Sequence, residues 1–117
     1  MTPKALWLPF QVDDLAAVEQ FYTVHLGLEA VDGWSRDGER GLVLRVADGA
    51  RLEFVAPGTP GPAPLAFELD GVRQVDRAFA DWQPAEPIVG PHRYPRGHYG
   101  FEVRDPAGTH VVVWSEK

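Results

Sequence analysis

The feature that most constrains this chain is a pattern of residues that occurs twice, on either side of a Pro- and Gly-rich segment at residues 56–64. On each side, an alternating apolar segment is followed by apolar residues at helical spacing and then by three short strand-like segments. The halves align in order, so that Val12 corresponds to Leu69 and Gly49 to Gly108. Such a repeat predicts two copies of one βαβββ unit joined by a linker.

In the first half, residues 5–12 alternate in type, which predicts a half-buried strand. Asp13 or Asp14 is expected to cap the helix that follows, and Gly27 is expected to end it. Three further strands are expected at residues 28–32, 40–47 and 50–55, with a hairpin turn at Asp48-Gly49.

In the second half, residues 65–69 alternate as a strand, and Val72, Val75, Phe79 and Trp82 then follow at helical spacing. This spacing assigns Trp82 to the core. Further strands are expected at residues 86–90, 98–104 and 109–115, with a turn at residues 105–108.

Composition and charge narrow the classes of protein that this chain can belong to. It has 117 residues, 44% of them hydrophobic, which predicts one folded domain over residues 1–117. Within this domain, the repeat predicts unit one at about 4–56, a linker at 57–63 and unit two at about 64–117. The formal charge of −6 argues against nucleic acid or an anionic membrane as the partner. There is no cysteine, residues 1–30 lack a basic segment followed by an apolar one, and no apolar run has the length of a membrane span, so we expect a cytoplasmic protein without a signal peptide or disulfides.

Two segments carry a resemblance to a known family. "VDDLAAVEQFYTVHLGLEAV" and "GHYGFEVRDPAGTHVVVWSEK" resemble the opening and closing motifs of the vicinal oxygen chelate superfamily, which includes glyoxalases, bleomycin resistance proteins and dioxygenases. The resemblance implies an α+β fold in which the two βαβββ units form a cup-shaped mixed sheet with the helices outside. It also implies a homodimer with ligand clefts at the subunit interface.

The resemblance implies four metal-ligand positions, and three of them lack a suitable donor. They correspond to Trp7, Glu53, Pro64 and Val112, so only one carboxylate is retained. One carboxylate does not replace the several ligands that a divalent cation needs. We therefore expect no metal and no other cofactor. The alternative is a relocated metal site drawn from Glu53, Glu68, Glu102, His98 and His110.

Aromatic residues stand where the ligand cleft is expected. If Leu6 and Leu8 face the helices, Trp7 faces the cleft, and the same alternation places Val112 and Trp114 there. Trp34 lies in a polar segment, "DGWSRDGER", interpreted as a turn that presents an aromatic ring to the ligand, to a second subunit or merely to solvent. Residues 90–100 are basic and aromatic, and form either a lid over the cleft or a solvated hairpin loop. The candidate ligand-binding residues are Trp7, Trp34, Glu53, Tyr94, His98, Glu102, Val112 and Trp114.

These features predict a non-catalytic protein that binds and sequesters a flat aromatic small molecule, an antibiotic in a self-resistance role, by stacking. The alternative is a metal-free tailoring enzyme, similar to an epimerase, cyclase or lyase, in which Glu53 is the acid or base. A third hypothesis is a metal-dependent lyase or dioxygenase with a relocated site.

Overall fold

The computed structural model describes residues 1–84 and 86–117, which divide into two compact units. One unit comprises Trp7–Ala63, and the other comprises Met1–Leu6 together with Pro64–Lys117. Each unit combines a helix with paired strands, most of them antiparallel and one pair parallel, so the predicted α+β class is confirmed. The first six residues group with the second repeat, because the backbone N–H of Lys4 donates to the carbonyl of Glu68 at 2.9 Å.

The first repeat follows the predicted element order. Strand β1 (Ala5–Gln11) comes first and contains the boundary between the units, at residues 6 and 7. Helix α1 (Leu15–Gln20) follows and continues as a π-helical stretch (Phe21–His25). Three strands complete the repeat: β2 (Glu29–Arg36), β3 (Glu39–Ala47) and β4 (Ala50–Ala56). Strand β3 lies between β2 and β4 and is antiparallel to both. The Asp14 side chain accepts the backbone N–H of Ala17 at 3.1 Å, so Asp14 is the cap and Asp13 is not.

The core of the first repeat lies between α1 and one face of its sheet. It contains Val12, Leu15, Leu42, Leu44, Phe54 and Ala56, with Phe10, Val18, Tyr22, Leu28 and Leu52 packed against it. Because successive side chains of a strand point to opposite faces, Leu52 and Phe54 face α1 and Glu53 lies on the other face of β4.

The second repeat contains β5 (Leu65–Leu69), helix α2 (Val72–Trp82), β6 (Val89–Arg93), β7 (Tyr99–Arg104) and β8 (His110–Ser115). Strand β8 is parallel to β5 and antiparallel to β7, and β7 is antiparallel to β6. The core beneath α2 contains Leu69, Val75, Ala78, Phe101, Val103, Val111 and Val113. The predicted turn is confirmed, because Asp105 Oδ1 accepts the N–H groups of Ala107 and Thr109 at 2.9 and 2.8 Å.

Trp82 is not a core residue, contrary to its place in the helical pattern. Its side chain is 47% exposed, and its ring contacts Phe101 only edge-on at a centroid distance of 6.1 Å. Trp82 is the last residue of α2, and Gln83 then adopts a left-handed conformation ahead of Pro84. The helix therefore ends before a further turn can cover the indole.

The hairpin predictions around Trp34 and residues 90–100 were wrong in position. Strand β2 continues through Trp34 to Arg36, and the turn falls at Asp37-Gly38, where both residues have positive φ. Two consecutive positive φ values are the geometry of a tight two-residue hairpin, for which Asp-Gly is a preferred sequence. Residues 89–93 form β6 in place of the predicted 86–90, which leaves a short turn at residues 94–98 and no long lid.

Candidate functional site

The second repeat gathers five of the predicted site residues on the face of its sheet opposite α2. Phe101 and Val103 of β7 and Val111 and Val113 of β8 pack under the helix. The alternate residues, Glu102, Val112 and Trp114, therefore lie on the other face, with Glu102 paired to Val112 in register. Tyr94 and His98, from the β6–β7 turn, contact the same set.

Glu102 is the polar centre of this face. Its Oε2 accepts the Tyr94 hydroxyl at 2.7 Å, and its Oε1 lies 2.6 Å from His110 Nε2. The Glu102 side chain is 17% exposed and that of His110 is 37% exposed. A largely buried carboxylate is thus held by two side chains, one of which remains accessible to a ligand.

The aromatic rings around Glu102 form a continuous set. The rings of Tyr94 and His98 stack with centroids 4.3 Å apart and an interplanar angle of 3°. His98 meets Trp114 edge-on at 5.6 Å, and His92 lies against Tyr94 at 4.1 Å. We call Tyr94, His98 and Trp114 the aromatic wall. Flat π-faces of this kind favour stacked or edge-to-face contact with another aromatic group.

Burial sets the protonation of the aromatic wall. Burial lowers the pKa of His98, and the nearby Arg96 and His92 lower it further, while Glu102 opposes them. Burial also raises the pKa of Tyr94, and its hydrogen bond to Glu102 raises it further. Both rings are therefore uncharged near neutral pH, which suits contact with an apolar ligand.

We expect the lowered pKa of His98 to make the protein less stable in mild acid. Below the ordinary histidine pKa of about 6.5, the unfolded chain binds a proton at His98 more readily than the folded chain does. The free energy of unfolding should then fall as the pH decreases through the folded-state pKa of His98. Urea unfolding at several pH values should show a smaller decrease for His98→Phe, which keeps an aromatic ring, than for the wild type.

His25 provides the control for this pH effect, because it is an exposed histidine on the π-helical stretch of the other unit. His25→Gln should retain the wild-type pH dependence. An equal loss of stability in acid for the wild type and His98→Phe would contradict the prediction that His98 causes the loss.

The candidates of the first repeat lie on three different strands, with Trp7 on β1, Trp34 on β2 and Glu53 on β4. Trp34 faces Gly41 across the β2–β3 pair, and its Nε1 donates to Glu39 Oε2 at 2.8 Å. The indole lies directly over Gly41, in the space that a side chain at this position would occupy. Trp7 is half-buried on β1, and Glu53 pairs with Val43 in the centre of the antiparallel sheet. The ligand roles of these three residues stay predictions.

Two histidines belong to the site but were not among the eight candidates. His110 reaches Glu102 because the tight turn at residues 105–108 pairs Arg104 with His110 and so places Glu102 diagonally opposite. The sequence does contain the residues of this turn. Because a tight turn fixes the register of the strands on either side, the pair Glu102 and His110 could have been predicted from it. His92 belongs to the site because β6 is formed by residues 89–93, which include His92, and its ring lies against that of Tyr94.

The residues predicted to occupy the four family metal positions do not fit a divalent cation. Trp7, Pro64 and Val112 supply no suitable donor, which leaves Glu53 alone. Across residues 1–84 and 86–117, no three His, Asp or Glu side chains lie close enough together to hold a metal ion. The relocated set of Glu53, Glu68, Glu102, His98 and His110 therefore does not assemble as one centre.

Comparison with known proteins fixes the family. The model of the Glyoxalase/Bleomycin resistance protein/Dioxygenase superfamily matches residues 5–113. The chain belongs to this superfamily. No curated protein matches the sequence significantly.

Solved structures share this superfamily fold at low sequence identity. A methylmalonyl-CoA epimerase from Mycobacterium tuberculosis aligns with a TM-score of 0.73 and 18% identity, over 98% of this chain and 89% of that one. A Legionella pneumophila structure described as NAD-dependent benzaldehyde dehydrogenase aligns at 0.72 and 21%, over 96% and 99%. A superfamily member from Vibrio splendidus 12B01 aligns at 0.65 and 10%, over 95% and 97%. These likenesses show the fold alone.

Within the described part of the chain, no helix is long and apolar enough to cross a membrane.

Proposed function

We propose that this superfamily member binds a flat aromatic small molecule against the aromatic wall of its second repeat. The observation that carries the proposal is the packing of Tyr94, His98 and Trp114, in which the Tyr94 and His98 rings stack in parallel and His98 meets the indole edge-on. A planar ligand extends such a set by offset stacking, which contributes about 0.5–1.5 kcal/mol per ring pair beyond the area buried.

The polar groups beside the wall give the bound molecule an orientation. Glu102 and His110 stand next to the rings, and the accessible part of His110 supplies a polar contact for one edge of the ligand. A mainly aromatic surface with a few fixed polar groups is typical of small-molecule sites. The ligand class that fits is a planar natural product with a polar substituent, such as an antibiotic, and the role that follows is sequestration in the cytoplasm.

A metal-free acid–base enzyme is the second candidate function. The Glu102–His110 pair favours it, because proton transfer needs a titratable group that is both oriented and accessible. Some structures that share the fold are methylmalonyl-CoA epimerases, so an enzyme fits the superfamily as well as a binding protein does. Glu53, the other carboxylate considered, lies on β4 in the first repeat and is a separate candidate for the same role.

We expect Trp114→Ala to weaken ligand binding by about tenfold or more, since losing one stacked indole costs at least about 1.4 kcal/mol at such a site. The probe is daunorubicin, a planar antibiotic, titrated by isothermal calorimetry so that the loss of a fluorophore does not affect the measurement. The bound compound should be recovered chemically unchanged.

Trp82→Ala is the matched control, because Trp82 belongs to the same unit but lies exposed on α2. It should bind daunorubicin as the wild type does. Equal affinity of Trp114→Ala and the wild type would contradict the proposal that the ligand binds against the aromatic wall.

Trp7→Ala and Trp34→Ala test the first-repeat candidates in the same titration. Native mass spectrometry of the complex reports whether the proposed homodimer forms and whether metal is bound.

A further inference from the structure

The geometry of Glu102 and His110 supports more than ligand orientation. Glu102 Oε1 lies 2.6 Å from His110 Nε2, and Oε2 is occupied by the Tyr94 hydroxyl. An ionised carboxylate accepts hydrogen bonds and donates none, so the proton of a neutral His110 must reside on Nε2. This fixes the tautomer and leaves Nδ1 as the proton acceptor.

Nδ1 of His110 is available to a ligand. It makes no hydrogen bond to the residues that the structure describes, and 37% of the side chain is exposed. His110 begins β8 on the same face as Val112 and Trp114, next to the aromatic wall. A molecule stacked on the wall thus has an oriented base beside it.

The surroundings of His110 favour removal of a proton from the ligand over nucleophilic attack on it. The chain has no cysteine, and among residues 1–84 and 86–117 no serine or threonine hydroxyl is bonded to the imidazole. The hydroxyl of Ser115 is engaged with the carbonyl of Lys117 instead. Without a nucleophile to activate, an oriented imidazole acts directly on an acidic proton of the bound molecule.

We propose that His110 is a catalytic base that removes the proton from a carbon next to a carbonyl group in an aromatic ligand. The inference rests on the proposed binding of that ligand to the aromatic wall. Nδ1 takes the proton, and the electron pair of the C–H bond forms an enolate with the carbonyl. The imidazolium is stabilised by the Glu102 carboxylate and returns its proton to the same carbon. This proton transfer and its reversal require no oxidant, reductant or metal.

Glu102 and Tyr94 are positioning residues in this step. Glu102 holds the imidazole through Nε2, and the Tyr94 hydroxyl fixes the other carboxylate oxygen. Tyr94 keeps its proton because burial and Glu102 disfavour the phenolate, so it remains a hydrogen-bond donor to Glu102.

The test uses 2-tetralone, a flat aromatic ketone with exchangeable α-protons. Calorimetry measures its binding, and mass spectrometry measures deuterium uptake from D₂O. The wild type should accelerate uptake beyond the buffer rate, and His110→Gln should reduce the catalysed rate by about 100-fold or more. Glu102→Gln should reduce it by about tenfold or more. Added imidazole should restore exchange to His110→Ala, a rescue that a purely structural role does not produce.

Nitrogen-15 NMR of His110 gives a second measurement that needs no ligand. The wild type should show the Nε2–H tautomer with an unprotonated Nδ1, and Glu102→Gln should lose this preference. His25→Gln, on the other repeat, should match the wild type in both assays.

Two failures are distinguishable. If neither 2-tetralone nor daunorubicin binds, the proposed function and this inference both fall. If a ligand binds but exchange does not exceed the buffer rate, or His110→Gln exchanges as fast as the wild type, only the inference is overturned.

Discussion

Phe101→Ala is expected to destabilise the protein by about 3–5 kcal/mol, the usual cost of deleting a fully buried aromatic side chain. Phe101 is completely buried in the core of the second repeat, and its ring meets Phe79 edge-on at 5.1 Å. A domain of this kind has only about 5–15 kcal/mol of stability, so the variant should retain little of it. Thermal unfolding should shift downward by about 10–20 °C.

Phe21→Ala is the control for this prediction, because the same side chain is removed from a site that is 52% exposed. We expect a change of about 1 kcal/mol or less, measured by urea unfolding of both variants. Similar losses at the two positions would contradict the burial that the structure assigns. Because Glu102 follows Phe101 on β7, loss of this anchor should also weaken ligand binding by disturbing the site face.

Gly41→Ala is expected to cost about 1–3 kcal/mol, the range for overpacking a filled site. The Trp34 indole lies directly on Gly41, so an added methyl group would occupy the space of three ring atoms. Gly41 is an ordinary extended strand residue in register with Trp34, and the cost therefore comes from the clash and not from backbone strain.

The clash predicts that the two positions are coupled. In Trp34→Ala/Gly41→Ala, the indole atoms that lie nearest to the added methyl group are removed, and the double variant should be more stable than the sum of the single effects by about 1 kcal/mol or more. Gly90→Ala is the control, since a methyl group at that strand glycine meets no atom within 4 Å. Additive effects in the double-mutant cycle would show that Trp34 does not rest on Gly41. The same cycle separates a structural role for Trp34 from its proposed ligand role, which the daunorubicin titration tests.

Local features of the fold were predictable because they depend on neighbouring residues alone. Alternation and helical spacing indicated the strand–helix–three strand order of each repeat, and this order is observed. The cap at Asp14 and the turn closed by Asp105 arise from side chains that bond to backbone groups two to four residues away. The signature of the superfamily is likewise carried by two continuous segments.

The features that failed depend on where an element ends. Trp82 fits the helical stripe, but the left-handed Gln83 ends the helix there and leaves the indole exposed. The polar segment around Trp34 predicts a turn, and it contains two Asp-Gly pairs, at residues 32–33 and 37–38. Only the pairing of β2 with β3 decides between them, and it selects the second.

By itself, therefore, the sequence determined the repeated α+β units and the family, since both are properties of residue type and local spacing. The prediction that three of the four family metal positions lack a donor rests on the same kind of information. The tertiary structure decided which candidates meet. It joined Tyr94, His98, Glu102 and Trp114 on one face and added His110, while Trp34 was found to rest on Gly41. Side chains eight or more residues apart meet only when strand register is fixed, and register follows from turn geometry and core packing across the whole sheet.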